Sequence, residues 1–493
     1  MPPRRAVPSL RAISLEAACT HLISQLHNRS KPSAALQAAP GALLSDLLAE
    51  ILLRRPDLEA EERLAALRLV LQSDVAVLAT GPFPATLHVA VLDVIRKRGA
   101  GLRRLDLRGV WSRVGGAVSA AALVAMVAGL PKLQVLSAPH SCTDALLVAL
   151  AAHCDQLRVL DASGEGFIGS TGVEALASSP CAASLQKVDL GCRGEVRVPP
   201  SVVAELLVRA PRLTSLGSYA YTGSAAATLP PDHPPLLLTY LRDTGTAVRT
   251  ADLLVRLCPR LRFVYLDTPE VGVLPMLAQL PALRSLKVRA FRLAELLALL
   301  EKAGSRILSL EFVGSSDEPL PLDVLATLCP NLERLESGSV ALVPYIPPST
   351  RFPALRSFGV GRSVLSTSVV RNVVKSAPSL QRLAVATALL DLGDGDIAAL
   401  AGPELVELWL MAAPRLSQDA VLTLMSSAPQ LRIIGDLAGW DVDAAEVVQM
   451  RLLLAECNLD LSLWSSGDLD DVTGQDAILD EDFTDDSDFE PIG

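Results

Sequence analysis

The sequence is poor in aromatic residues and lacks the motifs that mark common enzyme active sites. Only 4% of its 493 residues are aromatic although 50% are hydrophobic, so leucine, alanine and valine must fill the core. Such a composition suits many small stacked layers better than one large core. No H-E-x-x-H, G-x-S-x-G or G-x-x-x-x-G-K-[ST] motif occurs, and the six histidines are dispersed. We therefore predict a chain without catalytic activity, metal ligands or a cofactor.

Paired cysteines and long apolar runs are also missing. The eight cysteines include no C-x-x-C pair, which favours buried free thiols in a reducing compartment. The N-terminus has no uninterrupted apolar segment of the signal-peptide type, and no run reaches 18 apolar residues. We expect a protein of the cytoplasm, the nucleus or both, without membrane contact.

Basic residues are absent from the C-terminal end. The net charge is −10, and residues 461–493 hold eleven Asp and Glu with no Lys or Arg, so the rest of the chain is near neutral. A near-neutral body gives no indication of nucleic-acid binding. The acidic tail, from about Ser466 onward, is predicted to be disordered.

A short phrase close to x-L-x-x-L-x-L recurs from residue 101 onward. Its first apolar positions run from Leu102 to Leu431, fourteen anchors spaced about 25 residues apart. Amphipathic segments of helical periodicity, such as SVVAELLVRA, separate the phrases. This period predicts an α/β fold, a leucine-rich-repeat solenoid of horseshoe form with about 14 strand–turn–helix units.

The alternation of side chains along each strand predicts a binding face. The residue between the last two apolar positions of a phrase should point into the concave face, where a protein or peptide target would bind. Trp409 between two strand leucines is a candidate hot spot, with packing against a neighbouring side chain as the alternative. The predicted substrate-binding residues are Tyr265, Lys287, Glu311 and Trp409, in a wider row with Asp106, Asp161, Asp189 and Glu336.

A G-x-G-x-x-G motif at Gly164–Gly169 imitates a dinucleotide-binding turn, with Asp189 20 residues beyond it. Any two adjacent repeats produce the same order of strand, glycine turn, helix and strand. Asp189 also holds the phrase position that Asp106 and Asp161 hold. We interpret the motif as a repeat turn and not as a cofactor site.

Two amphipathic segments precede the array. The first reads S-L-E-A-A-C-T-H-L-I from Ser14 and forms one apolar stripe on a helix. The second begins at Pro40, a favoured residue for a helix start. Another register of the first segment starts at Ser9, with Leu10 in the leucine position and Ser14 in place of the cysteine.

These segments resemble the box of elongin-B/C-binding, cullin-2-type substrate receptors such as the von Hippel–Lindau protein. PRAME-like and Zyg-type receptors join such a box to leucine-rich repeats, and the C-P-x-L phrases at Cys258 and Cys329 resemble the repeats of ubiquitin-ligase receptors. The resemblance implies a substrate-recognition subunit of a cullin-2 RING ubiquitin ligase, whose partners are elongin C, elongin B, cullin-2 with its RING subunit, and an unidentified protein target. It implies elongin C contacts by Leu10, Ser14, Leu15, Cys19, Leu22 and Ile23, and cullin contacts by Pro40, Leu43 and Leu47.

Two alternatives stay open at this point. The N-terminal helices could instead be a plain cap for the solenoid, and the chain a leucine-rich-repeat scaffold without a ligase link. Exposed Leu15 and Cys19 would favour docking, and buried ones the cap. The predicted division is box helices at 1–50, a helical bridge and cap at 51–100, repeats at 101–460 and the acidic tail at 461–493.

Overall fold

A computed structural model describes residues 2–27, 36, 39–54, 58–81, 83–110, 118–164, 168–191, 198–230, 232–343, 347, 349–361 and 365–465. The chain forms two compact units. The N-terminal unit comprises residues 7–243 and 256–259, and the C-terminal unit comprises residues 1–6, 244–255 and 260–493. Most of the tail predicted to be disordered, residues 466–493, lies outside the described residues.

The strands are short and follow the repeat phrases. Their bounds are β1 Val77–Ala79, β2 Arg104–Asp106, β3 Val135–Ser137, β4 Val159–Asp161, β5 Lys187–Asp189, β6 Tyr240–Thr244, β7 Phe263–Asp267, β8 Ser285–Phe291, β9 Ser309–Ser316, β10 Arg334–Ser337, β11 Ser357–Val360, β12 Arg382–Ala388, β13 Glu407–Ala412, β14 Ile433–Gly435 and β15 Ser462–Leu463.

Three helices precede the first strand, and further helices lie between the strands. Their bounds are α1 Leu10–His27, α2 Gly41–Arg54, α3 Ala60–Val70, α4 His88–Arg98, α5 Ala120–Val127, α6 Asp144–His153, α7 Ser170–Ser178, α8 Pro200–Arg209, α9 Thr222–Ala226, α10 Val248–Leu257, α11 Val273–Met276, α12 Leu293–Ala303, α13 Leu322–Leu328, α14 Thr367–Ser376, α15 Asp394–Ile397, α16 Gln418–Ser427 and α17 Ala444–Glu456.

The sheets confirm the predicted α/β leucine-rich-repeat solenoid. Strands β1–β5 form one parallel sheet in chain order, and β6–β15 form another in chain order. Every predicted anchor, from Leu102 to Leu431, is buried. Because each leucine removed from water contributes about 1.5–3 kcal/mol, the stack of anchors supplies a continuous core along each array.

The arrays are longer than the leucine phrase indicates. Strand β1 pairs in register with β2, although it lies within the stretch predicted to be a helical bridge. At the other end β15 pairs with β14, inside the predicted tail. Their core positions are Leu78 and Leu463, but neither segment has the full leucine spacing. Conversely, the phrase at Pro211 forms an isolated bridge between Lys187 and Ser215 and no strand among the described residues.

Two carboxylates connect successive repeats of the C-terminal unit. They accept hydrogen bonds from backbone amides at the helix starts of the neighbouring repeat. Asp317 accepts from the Leu293 amide at 2.7 Å, and Glu295 accepts from the Gly272 amide at 2.8 Å. Such bonds satisfy amides that a helix leaves unpaired in its first turn, and they link successive repeats.

The C-terminal unit also holds the first residues of the chain. Arg4 forms an antiparallel bridge with Leu459, and the Asp460 amide donates to the Pro3 carbonyl at 2.7 Å. No local sequence pattern predicts this pairing, because it joins segments more than four hundred residues apart.

Candidate functional site

The apolar stripe of α1 forms the seam between α1 and its neighbours α2 and α3. Cys19, Leu22 and Ile23 are 1%, 3% and 6% exposed, and Leu15 is half-buried. The Cys19 thiol lies 4.0 Å from the Leu47 carbonyl oxygen on α2. In this arrangement the Leu15/Cys19 register is an internal packing surface, so by the exposure criterion given above this register favours the cap over docking.

The first turns of α1 and α2 present apolar side chains to solvent. Leu10 is 80% exposed, Ile13 is 50% exposed and Leu43 is 49% exposed. Ser14 and Pro40 are exposed as well. We call Leu10, Ile13 and Leu43 the exposed apolar set. Leu10 and Ile13 lie in the register of the first segment that starts at Ser9, and Leu43 lies near the start of the second segment. An ion pair between Arg11 and Asp46 joins the two helices near them.

The strand registers of the C-terminal unit place the predicted substrate-binding residues in one row. The row runs through the residues Tyr265, Lys287, Glu311, Glu336, Gly359, Ala384, Trp409 and Gly435. We call it the strand-face row. Neighbouring members lie on adjacent strands, about 4.8 Å apart.

The first part of the strand-face row is an internal charge network. The Lys287 ammonium lies 2.6 Å from Glu311 Oε1 and 5.1 Å from the centre of the Tyr265 ring. Tyr265 and Lys287 are buried, at 4% and 5% exposure. Burial raises the pKa of Glu311 against the opposing effect of the Lys287 charge. These three predicted contact residues therefore bind one another in the free chain.

Trp409 differs from them because small residues surround it. It is half-buried, with Ala384 and Gly435 opposite it on the neighbouring strands. The indole lies over Gly435 so closely that a Cβ there would be 1.9 Å from Trp409 Cε3. Its Nε1 is 3.5 Å from Glu407 Oε2. Because Ala384 and Gly435 are small, they leave room beside the half-exposed indole for a side chain of a partner protein.

The equivalent row of the N-terminal unit contains the three predicted aspartates. Asp106 pairs with Arg108, and Asp161 accepts a hydrogen bond from Ser137 Oγ at 2.7 Å. Asp189 is buried and accepts from the Ser218 hydroxyl and the Gly191 amide. Its burial, together with the nearby Asp161 charge, raises the pKa of Asp189 to about 6.

The glycines of the G-x-G-x-x-G motif serve the repeat. The Gly169 and Gly172 amides, one in the motif and one just after it, donate to Asp144 Oδ1 at 2.8 and 3.1 Å. Gly164 has a φ of 86° and packs against the His140 ring, where a Cβ would clash. Residues 165–167 of the motif lie outside the described residues. An aspartate thus occupies the helix start where a pyrophosphate would bind.

One further cavity is lined by carboxylates that already cap helices. A cavity of about 350 Å³ opens beside Phe291, and its carboxylates Glu295 and Asp317 are the helix-capping groups described above. Within the described part of the chain, no three His, Cys, Asp or Glu side chains form a group able to hold a metal ion. Among the described helices none has both the length and the apolar character needed to cross a membrane.

Comparison with known proteins gives similarity of fold only. No protein-family model matches the chain, and no curated protein matches it. It is similar to the Rad7 and Elc1 complex of yeast, with 13% identity over 93% of this chain and 98% of that chain, at a TM-score of 0.38. It is similar to an internalin from Listeria monocytogenes, with 14% identity over 68% and 81%, at 0.34. It is also similar to a leucine-rich-repeat protein of Leptospira interrogans, with 13% identity over 76% and 98%, at 0.33. The repeat assignment rests on the strand registers and buried anchors of this chain.

Proposed function

We propose that this chain is a substrate-recognition subunit of a cullin-2 RING ubiquitin ligase and that it contributes binding, not catalysis. The observation that carries the proposal is the exposed apolar first turn of α1. Leu10 is 80% exposed on a helix whose opposite face is buried, and it holds the leucine position of the Ser9 register. Burial of such a leucine against a partner contributes about 1.5–3 kcal/mol.

The elongin C contact is assigned to the Leu10/Ser14 register. Docking through Leu15 and Cys19 would require α1 to separate from α2, since Cys19 is 1% exposed. Docking through Leu10 and Ser14 needs no such opening, because both side chains already face solvent. Leu22 and Ile23 then hold α1 in place.

The cullin contact is assigned to the start of α2. Pro40 and Leu43 are exposed, and elongin B would enter the complex together with elongin C. Leu47, 5% exposed, packs in the seam and has a positioning role.

The target protein is assigned to the strand-face row around Trp409. The Tyr265, Lys287 and Glu311 network fixes neighbouring strands at one end of the row, and Trp409 offers a half-exposed ring above Ala384 and Gly435. Tryptophan in such a setting concentrates binding energy in protein interfaces.

The test is co-expression of the full chain with elongin B and elongin C, followed by co-purification. We expect a stable complex that Leu10→Asp abolishes. Val7→Asp is the matched control, because Val7 is 89% exposed and precedes the motif. Thermal unfolding of each variant checks that the fold is kept. A well-folded wild-type chain that does not co-purify would contradict the proposal.

The alternative is a leucine-rich-repeat interaction scaffold without a ligase link. It is favoured by the seam of α1, α2 and α3 next to β1, which is the arrangement expected of a cap for the array. In that case Leu10→Asp and Val7→Asp would both leave every interaction unchanged, and Trp409→Ala would still weaken binding of the scaffold's partner.

A further inference from the structure

A second row of side chains in the C-terminal unit lies at the start of the strands. Its members are linked by backbone hydrogen bonds, as where the Arg284 amide donates to the Arg262 carbonyl at 2.8 Å. The row continues through Leu308 and Glu333 to Arg356, and then on to Arg432, whose carbonyl accepts from the Ser462 amide at 2.7 Å. Arg262, Arg284 and Arg356 are exposed.

Arg306 adds a fourth guanidinium to this edge. Arg306 ends the short turn Gly304–Arg306 that leads into β9, as Arg284 directly precedes β8, and burial together with the charge of Arg284 lowers the pKa of Arg306. Arg306 donates to the Ala278 carbonyl, while its Nε is buried and has no hydrogen-bond partner among the described residues. We call Arg262, Arg284, Arg306 and Arg356 the arginine edge.

Within the part of the chain that the structure describes, the arginine edge has no carboxylate partners. Among the described residues none of its four guanidiniums forms an ion pair, including Arg356, which follows Glu333 in the row. Other arginines of the same unit are paired, as Arg382 is with Glu407 and Arg432 with Asp460. An unpaired group of four positive charges favours an anionic ligand.

The chain itself carries a ligand of matching charge. Residues 466–493 hold eleven acidic and no basic side chains. They follow directly on β15, which lies at the end of the same sheet. Arg262 lies eight strands from β15, about 38 Å at 4.8 Å per strand. The fifteen residues from 466 to 480 can span about 50 Å when extended, so the acidic run from Asp480 reaches it.

We propose that the acidic segment 466–493 docks on the arginine edge of its own chain. Tethering raises its effective concentration there to about the millimolar range, so several weak ion pairs suffice for occupancy. The docked segment then excludes other acidic ligands from this edge. This inference does not depend on the ligase proposal, since neither α1 nor α2 takes part in it.

The test is photo-crosslinking in the full chain, with a benzophenone amino acid in place of Phe489. We expect crosslinks within one chain to peptides that contain the arginine edge. They should fall roughly tenfold when the salt concentration rises from 0.1 M to 1 M and the Debye length shortens from about 10 Å to about 3 Å. The charge-reversed variant R262E/R284E/R356E should show a comparable fall.

Two further variants keep the test decisive. R249E/K302E/K375E reverses three exposed charges on helices of the same unit and should leave the crosslinks unchanged. Asn and Gln in place of the acids at positions 480–490 leave the array untouched and should remove the crosslinks. The proposal would be overturned if the crosslinks did not fall at high salt, in the charge-reversed edge variant or in the neutralised tail variant. Crosslinks to a second copy of the chain, or no crosslinks at all, would also overturn it.

Discussion

Asp189 provides a sharp prediction of pH-dependent stability. Its carboxyl is buried and has a pKa of about 6, against an ordinary value of 3.8. At 1.36 kcal/mol per pKa unit, ionisation of this group costs the folded state about 3 kcal/mol. The pKa of Asp189 is higher in the folded protein than in the unfolded chain. Its contribution to the free energy of unfolding is therefore fully present below pH 3.8 and is lost as the pH rises through about 6.

Asp189→Asn removes the charge and keeps the hydrogen bonds. Both the Ser218 hydroxyl and the Gly191 amide donate to Oδ1, which an asparagine also offers. We therefore expect the variant to be more stable than the parent at pH 7.5, by up to about 3 kcal/mol. The gain should shrink steadily below pH 6 and vanish near pH 4.

The assay is thermal and denaturant unfolding of both proteins across this pH range. Asp106→Asn is the matched control, because Asp106 lies in the same row but pairs with Arg108 and is not buried. That change should not stabilise the protein at any pH. A neutral or destabilising Asp189→Asn at pH 7.5, or a gain in stability that does not depend on pH, would show that burial of the Asp189 carboxylate does not destabilise the fold.

Two further changes test the strand-face row. Gly435→Ala places a Cβ 1.9 Å from the Trp409 ring, so we expect a loss of about 1–3 kcal/mol and altered tryptophan fluorescence. Gly402→Ala, in open space, should be nearly neutral, and an equal effect of both would contradict the packing described. Lys287→Ala leaves the Glu311 side chain, which is only 15% exposed, without its ion-pair partner, so we expect about 3–5 kcal/mol of destabilisation in urea unfolding. A loss below about 1 kcal/mol would show that the pair is not desolvated.

The fold was largely predictable because the leucine phrase is a local pattern with a fixed period. Each anchor, such as Leu283, is buried at the start of a unit, and side-chain alternation placed Lys287 and Trp409 in one row. Strand β1 was missed because its segment supplies the core residue Leu78 without the other leucines. Pairing with an existing sheet, not local spacing, makes it a strand.

Burial within the candidate sites was not predictable from periodicity. An apolar stripe shows that a helix has one packing face, but it does not say whether that face meets another helix or a partner protein. Cys19 therefore looked available and proved to be covered by α2. Likewise Lys287 was expected to face a target, and its burial depends on Glu311 and Tyr265 in neighbouring repeats. The capping role of Asp317 was missed for the same reason, since its amide partner lies 24 residues away.

Hydrogen exchange of the full chain, with and without elongin B and elongin C, is the direct test of docking through the first turns of α1 and α2. We expect slower exchange in α1 around Leu10, Ile13 and Ser14 and at the start of α2 when the elongins are present. In the repeat strands we expect no change. Unchanged exchange in α1 and α2, or faster exchange around Cys19 that shows α1 leaving α2, would contradict the assigned docking surface.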